Sequence, residues 1–326
     1  MKAFVLENGK QYVKEMEDPV AGKNEVVVRL KAAGLNRRDL YIPNRVGDKK
    51  EALILGSDGA GIIDSIGEGV TNVAIGDEVI INPSLRWFEN TDAPSKEFDL
   101  LGMPDHGTFA EKIVLSEEQV EKKPSYLSWE EAGVLALSAL TGYRALFTKG
   151  SIREGETVFI PGAGSGVSTY MIQFAKNIGA KVIVTSRSEA KREKVKELGA
   201  DIVLDTNSDW NKQLENEQID LVIESVGRAT FNRSLSVLKK GGKIVTFGAT
   251  TEDTIELNLR NFFYGQYQLL GTTMGSREEL REMLKHMEHY QMHPVLDRTF
   301  PIEQTQEALD FLKDSKQFGK IAISIP

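Results

Sequence analysis

Short apolar or β-branched runs recur through the first third of the chain, at Ala3–Leu6, Val26–Leu30, Gly61–Ile66, Glu78–Asn82 and Phe109–Leu115. Each is of strand length, and glycine turns such as Gly67-Glu68-Gly69 and Gly76-Asp77 separate them, so the pattern predicts β-strands. A polar stretch from Pro83 to Asp105 interrupts the series and predicts a long lobe. After Pro124 the period changes. Trp129–Phe147 reads as a helix, Thr157–Ile160 as a strand, and Val167–Ile178 as a helix. The apolar positions Val167, Tyr170, Met171, Phe174, Ala175 and Ile178 of that last helix fall on one face. Lys181–Thr185, Ile202–Leu204, Leu221–Ile223, Ile244–Phe247 and Leu269–Leu270 supply further apolar runs, and Glu189–Leu198 is a charged helix between two of them. Strands alternating with helices predict right-handed βαβ units and a parallel sheet. The rhythm divides the chain into a β-rich segment 1–124, an alternating segment 125–270, and a mixed segment 271–326 that returns to complete the first. The fold class is therefore α/β, with two domains.

Composition narrows the function. Lys plus Arg number 40 against 48 Asp plus Glu, a net charge of −8 that argues against a nucleic-acid or anionic-membrane surface. No apolar stretch approaches the ~20 residues of a membrane span, and the N-terminus lacks the apolar core of a signal peptide, so a cytoplasmic location is expected. There are no cysteines, which removes disulfides, thiolate nucleophiles and cysteine-based metal sites.

The first strand of the βαβ series runs into Pro161-Gly162-Ala163-Gly164-Ser165-Gly166-Val167-Ser168 and then into a helix. A backbone free of bulky side chains, delivered to a helix N-terminus, is what close approach to a pyrophosphate requires. The spacing departs from strict G-x-G-x-x-G, since Val167 holds the third glycine position. The strand–turn–helix context nevertheless assigns Gly164, Ser165, Gly166 and Val167 to a dinucleotide. An NAD site usually carries an acid at the end of the second strand. Here that strand ends Thr185-Ser186-Arg187-Ser188, with Lys191 one helical turn on. Ser186, Arg187 and Lys191 suit a 2′-phosphate, which makes NADP(H) the expected cofactor.

Several motifs together resemble the medium-chain dehydrogenase/reductase superfamily, and within it the zinc-free quinone-reductase-like members. They are AAGLNRRDLYI (Ala32–Ile42), LGSDGAGII (Leu55–Ile63), IGEGVTNVAIGDEV (Ile66–Val79), GTFAEKIVL (Gly107–Leu115), ALTGYRAL (Ala139–Leu146), the glycine turn, GGKIVTFGATT (Gly241–Thr251) and FGKIAISI (Phe318–Ile325). The resemblance implies a GroES-like β-barrel catalytic domain and a Rossmann dinucleotide-binding domain, a small-molecule substrate held in the cleft between them, and a homodimer formed through the Rossmann sheet. Zinc-dependent members carry Cys where this chain has Asn36, His-Glu where it has Ser57-Asp58, and a third ligand near Leu137 or Ser138. Such a donor set does not suit catalytic zinc, so no metal is expected. The Pro83–Asp105 lobe stands where such enzymes keep a structural zinc, and packing through Trp87, Phe88, Phe98 and Leu101 is expected in its place.

By the same resemblance Asn36 and Tyr41 line the substrate pocket as the catalytic pair, Asn36 hydrogen-bonding a carbonyl oxygen and Tyr41 donating to it or relaying a proton. Asp39 is expected to orient the local helix. Gly227, Gly248, Ala249, Thr272 and Thr273 follow Rossmann strands and are expected to face the nicotinamide, and Thr141 and Lys320 match positions near the cofactor. His286, His289 and His293 fall at i, i+3 and i+7 of one apparent helix and read as a solvated face. The expected activity is a zinc-independent, NADPH-dependent reduction of a quinone or α,β-unsaturated carbonyl. An alcohol dehydrogenase and a non-catalytic NADP(H)-binding protein are the alternatives.

Overall fold

The computed structural model describes residues 1–326 and divides into two compact units, Met1–Leu140 with Gly275–Pro326, and Thr141–Met274. The first boundary falls at 140/141, beyond the expected 124/125, and the second at 274/275. The reason lies in small residues. The helix Trp129–Gly133 presses against the strand Glu25–Gly34 so closely that a Cβ on Gly133 would meet the Ala32 Cβ at 2.7 Å. A Cβ on Gly34 would meet the Gly133 carbonyl at 2.8 Å. Only glycine and alanine permit that approach, and it fixes the 129–133 segment to the β-rich unit.

In the first unit a sheet runs in the order Val120–Lys122, Glu78–Ile81, Asp58–Ile66, Glu25–Gly34, Lys320–Ser324 and Leu296–Pro301, with Lys112–Ser116 also paired to Glu25–Gly34. Every pairing is antiparallel except the last, where Leu296–Pro301 lies parallel to Lys320–Ser324. The C-terminal strand thus enters the sheet built by the N-terminal segment, as the return of 271–326 predicts. Phe4, Val28, Leu30, Ile63, Phe109, Ile321 and Ile323 form one buried core with their neighbours. The lobe carries a two-residue ladder, Ser84–Leu85 with Asp99–Leu100. Trp87 and Leu101 are buried, and Trp87 meets Phe98 edge-on at 5.5 Å, whereas Phe88 is exposed. Arg86 ties the lobe electrostatically, donating to the Glu97 carbonyl at 2.6 Å and to Asp99 at 2.7 Å.

The second unit is a six-stranded parallel sheet. Numbered within the unit, its strands stand in the order 3-2-1-4-5-6: Ile202–Asp205, Lys181–Ser186, Thr157–Ile160, Ile219–Glu224, Leu238–Thr246, Gln268–Gly271. That order is the doubly wound one, and it places a topological switch point at the carboxyl ends of the first and fourth strands, where such sheets bind ligands. The expected single helix Trp129–Phe147 is instead three pieces: Trp129–Gly133, Ala136–Tyr143, and a π-helical turn Arg144–Lys149. No helix is long and apolar enough to cross a membrane.

Candidate functional site

In the first unit three neighbouring strands deliver their ends to one point. Gly34 pairs with Asp58 and with Ala322, so Asn36, Asp58 and Lys320 emerge side by side. Ser138, on the helix Ala136–Tyr143, adds a hydroxyl. The Lys320 ammonium donates to the Asn36 Oδ1 at 2.6 Å, the Leu35 carbonyl at 2.8 Å, and Asp58 Oδ2 and Ser138 Oγ, each at 3.2 Å. Its three hydrogens face four oxygens, and the side chain is buried. Asp58 is equally engaged. Its Oδ2 also accepts from Asn36 Nδ2 at 2.9 Å, and its Oδ1 from the Leu137 amide at 2.6 Å.

Two expectations change here. Lys320, expected at the cofactor, has its ammonium wholly committed inside the first unit. Asn36, expected to contact the acceptor, has both ends of its amide in use: Oδ1 accepts from Lys320 and Ser138, and Nδ2 donates to Asp58 and, at 3.4 Å, to the Gly34 carbonyl. A side-chain amide offers two N–H and two lone-pair directions, so none remains for a substrate carbonyl without breaking this set. Tyr41, by contrast, is exposed, between the turn Arg37–Leu40 and the short helix Ile42–Val46. Ser57 points toward the lobe. It donates to the Leu101 carbonyl at 2.7 Å and accepts from Arg38.

Zinc requires about three donors drawn mainly from His, Cys and carboxylate. Of Asn36, Ser57, Asp58, Leu137 and Ser138 only Asp58 is such a donor, and its carboxylate is already paired with the Lys320 ammonium at 3.2 Å. The residues present do not fit the metal.

Asp39 lies fully buried beneath this cluster. Its Oδ2 accepts the Asn36 amide at 2.8 Å, and its Oδ1 has no partner. Burial pushes its carboxyl up from 3.8 to about 6. The fold therefore binds this proton more tightly than the unfolded chain does. That contribution is present below pH 3.8 and lost as pH rises to about 6. Asp39→Asn, which cannot ionise, is expected to gain about 2 kcal/mol on wild type between those limits. Urea titrations at the two ends check this, and a pH-independent difference contradicts it.

In the second unit the glycine turn is held by its neighbours. Gly162 has φ +75°, and a Cβ there would meet Val226 Cγ2 at 2.9 Å. The Gly162 amide donates to Thr185 Oγ1 at 3.2 Å and the Ala163 amide to the Thr185 carbonyl at 2.7 Å. Ser168 Oγ accepts the Gly164 amide at 2.9 Å, while Ser165 caps the helix Gly166–Asn177 by accepting the Ser168 amide. Thr185 is a structural member of the turn that motif reading passes over, because it stands on the neighbouring strand, outside the glycine run.

The other expected cofactor residues gather at the same sheet edge. Ser186 ends the second strand, buried. Arg187 is exposed and enters no ion pair, and Lys191 lies in the first turn of the helix Glu189–Glu197. Arg192, which sequence reading did not single out, donates to the Ser186 carbonyl at 2.9 Å and to Asp205 at 3.0 Å. Gly227 follows the fourth strand at φ +93°, its Cβ direction meeting Ala249 Cβ at 3.0 Å. Amides of Thr250 and Thr251 bond the Ser225 and Val226 carbonyls, which binds the Gly227 and Gly248–Ala249 turns together. Thr272 and Thr273 follow the sixth strand, and the Thr272 hydroxyl is buried without a partner. Thr141 is buried at the head of the unit, its hydroxyl 3.5 Å from Met274 Sδ. A crowded glycine turn, an unpaired arginine and an orphaned hydroxyl at one carboxyl edge fit a phosphorylated dinucleotide.

The histidines serve elsewhere. His106 Nδ1 accepts the Ile54 amide at 3.1 Å, and burial lowers its pKa. The helix Arg277–Tyr290 ends before His293, which pairs with Glu131 at 2.7 Å, so the three C-terminal histidines do not share one helical face.

Residues 22–125 match the family described as the alcohol dehydrogenase GroES-like domain, and residues 166–289 match the zinc-binding dehydrogenase family. A zinc-type alcohol dehydrogenase-like protein, YogA, of Leptosphaeria maculans is 32% identical over 94% of this chain and 92% of its own. The acryloyl-coenzyme A reductase of Sulfurisphaera tokodaii is 31% identical over 99% of both. A solved structure described as an NAD-dependent alcohol dehydrogenase superposes with a TM-score of 0.92 over the whole of both chains, at 34% identity. With a GroES-like domain, a Rossmann domain and these relatives, the chain belongs to the medium-chain dehydrogenase/reductase superfamily of oxidoreductases.

Proposed function

We propose that this chain is a zinc-independent, NADPH-dependent reductase that delivers hydride to an α,β-unsaturated carbonyl or a quinone. The observation that carries the reading is the buried set Asn36–Asp58–Ser138–Lys320, which puts an amide, a hydroxyl and a carboxylate already paired with an ammonium where zinc-dependent members keep ligands. A reductase so built favours acceptors that are electrophilic without a Lewis acid. Relatives named acryloyl-CoA and crotonyl-CoA reductase support the enoyl branch of this reading.

When bound, the dinucleotide supplies the hydride. The turn Gly162–Val167 and its helix N-terminus receive the pyrophosphate, and Ser186, Arg187 and Lys191 receive the 2′-phosphate. Gly227, Gly248, Ala249, Thr272 and Thr273 line the nicotinamide end. Tyr41 donates a hydrogen bond to the acceptor oxygen, and Asn36 serves through the buried set. The catalytic share of the protein is orientation and fixed dipoles.

Arg187 tests the choice of cofactor. Arg187→Ala is expected to raise KM for NADPH about tenfold, the loss of one charge-assisted phosphate contact, and to leave KM for NADH nearly unchanged. Equal effects on both would favour NAD, the cofactor named for the solved alcohol dehydrogenase relative. We also read the unpaired edge of Gln268–Gly271, with Leu259, Phe263, Tyr264 and Leu269 exposed nearby, as the seat of a homodimer. Light scattering decides that point, a monomeric mass removing it.

A further inference from the structure

We propose that Lys320 is a positioning residue whose ammonium is the cation around which the substrate-side cluster is assembled, held in a cage of four oxygens from Leu35, Asn36, Asp58 and Ser138. The inference rests on the metal-free reading above and extends it from the absence of a ligand set to the presence of a substitute.

The geometry makes the cation central rather than peripheral. The four oxygens come from a strand end, the loop after it, a neighbouring strand and a helix, with donor–acceptor distances of 2.6 to 3.2 Å from one nitrogen. Take the ammonium away and Asn36 Oδ1 and the Leu35 carbonyl lose a buried donor, and Asp58 keeps a buried charge with no counter-ion. Buried polar groups left in that state disfavour the arrangement strongly. The orientation of the Asn36 amide also follows from the ammonium. Oδ1 turns toward the cation and Nδ2 toward Asp58; without the cation the amide has no reason to keep that sense. Lys320 is the first residue of its strand, so its backbone is fixed by pairing with Leu296–Pro301 and Glu25–Gly34 whatever the side chain does. The backbone frame of the cage therefore outlasts the loss of the side chain, and a small primary ammonium ion is expected to reassemble the oxygens around itself.

Lys320→Ala removes three methylenes and the ammonium, the shape of n-propylammonium. Thermal unfolding of the first unit within the whole chain, followed by a probe placed in that unit and without dinucleotide or acceptor, is the readout. The variant is expected to melt several degrees lower than wild type, and n-propylammonium to restore most of the loss saturably. The neutral isostere n-propanol is expected not to do so. Neither compound is expected to raise the melting temperature of wild type or of Lys320→Met, whose side chain fills the space the lysine stem occupies. Equal restoration by propanol would reduce the residue to cavity filling and overturn the proposal, as would no restoration by either. Should Lys320→Ala aggregate, its refolding yield from urea with propylammonium against propanol reads the same comparison. Stoichiometric zinc retained by dialysed wild type would overturn the metal-free reading itself, whatever the amine does.

Discussion

Replacing Asp58 with alanine is expected to cost about 3–5 kcal/mol, the largest single loss among the site residues. The carboxylate is fully buried, and its removal leaves the Lys320 ammonium without a counter-charge and the Asn36 and Leu137 N–H groups without their acceptor. The cost lies in breaking the pair, more than in what the intact pair gains over an apolar substitute. The double variant Asp58→Leu/Lys320→Met is therefore expected to recover more than half of the loss, since it removes both charges together. Chemical unfolding followed by a probe in the first unit checks this. A double variant as unstable as the sum of the singles would mean that the charges do not act as a pair. Because the two units need not unfold together, a single whole-chain midpoint is a poor substitute for that probe.

Glu224→Ala is expected to cost about 3–4 kcal/mol in the second unit and to weaken NADPH binding at the same time. This buried carboxylate ends the fourth Rossmann strand. It accepts from the Val226 and Gly227 amides at 2.7 and 3.2 Å and from the Thr230 and Ser234 hydroxyls at 2.9 Å. It thereby shapes the turn that carries Gly227 at the carboxyl edge of the sheet. Glu224→Gln keeps one carbonyl oxygen, and the two hydroxyls can rotate to accept from its NH2, so a loss nearer 1 kcal/mol is expected. Calorimetry of NADPH binding to both variants separates the effects. Unchanged affinity in the alanine variant would show that the turn keeps its shape without the carboxylate.

The two predictions mark where sequence reading ends. The alternation of strand and helix after Glu156 and the run Gly162–Ser168 place the glycine turn, because such a turn is local: a few consecutive residues, one strand and one helix contain it. The end of the second strand at Ser186 is legible for the same reason. The Asp58–Lys320 pair is not, since its members are 262 positions apart and meet only because the C-terminal strand enters the sheet beside Glu25–Gly34. A family pattern singles out Lys320, but not the four oxygens of the first unit to which its ammonium is bonded. Glu224 likewise reads as an ordinary strand-end acid until the turn that folds back onto it is seen. The boundary near residue 140 escapes composition because Gly133 and Ala32 mark a contact between elements, and neither glycine nor alanine signals its partner. The π-helical turn Arg144–Lys149 carries the apolar period of an ordinary helix, so the pattern alone does not resolve it.

The account turns on reduction without zinc. The most direct measurement is NADPH oxidation by chelator-treated, metal-assayed protein, with crotonyl-CoA, alkenals and para-benzoquinone as acceptors. Turnover is expected with at least one of them, unchanged by chelator and faster with NADPH than with NADH. Activity confined to simple alcohols or aldehydes and restored only by added zinc would contradict it.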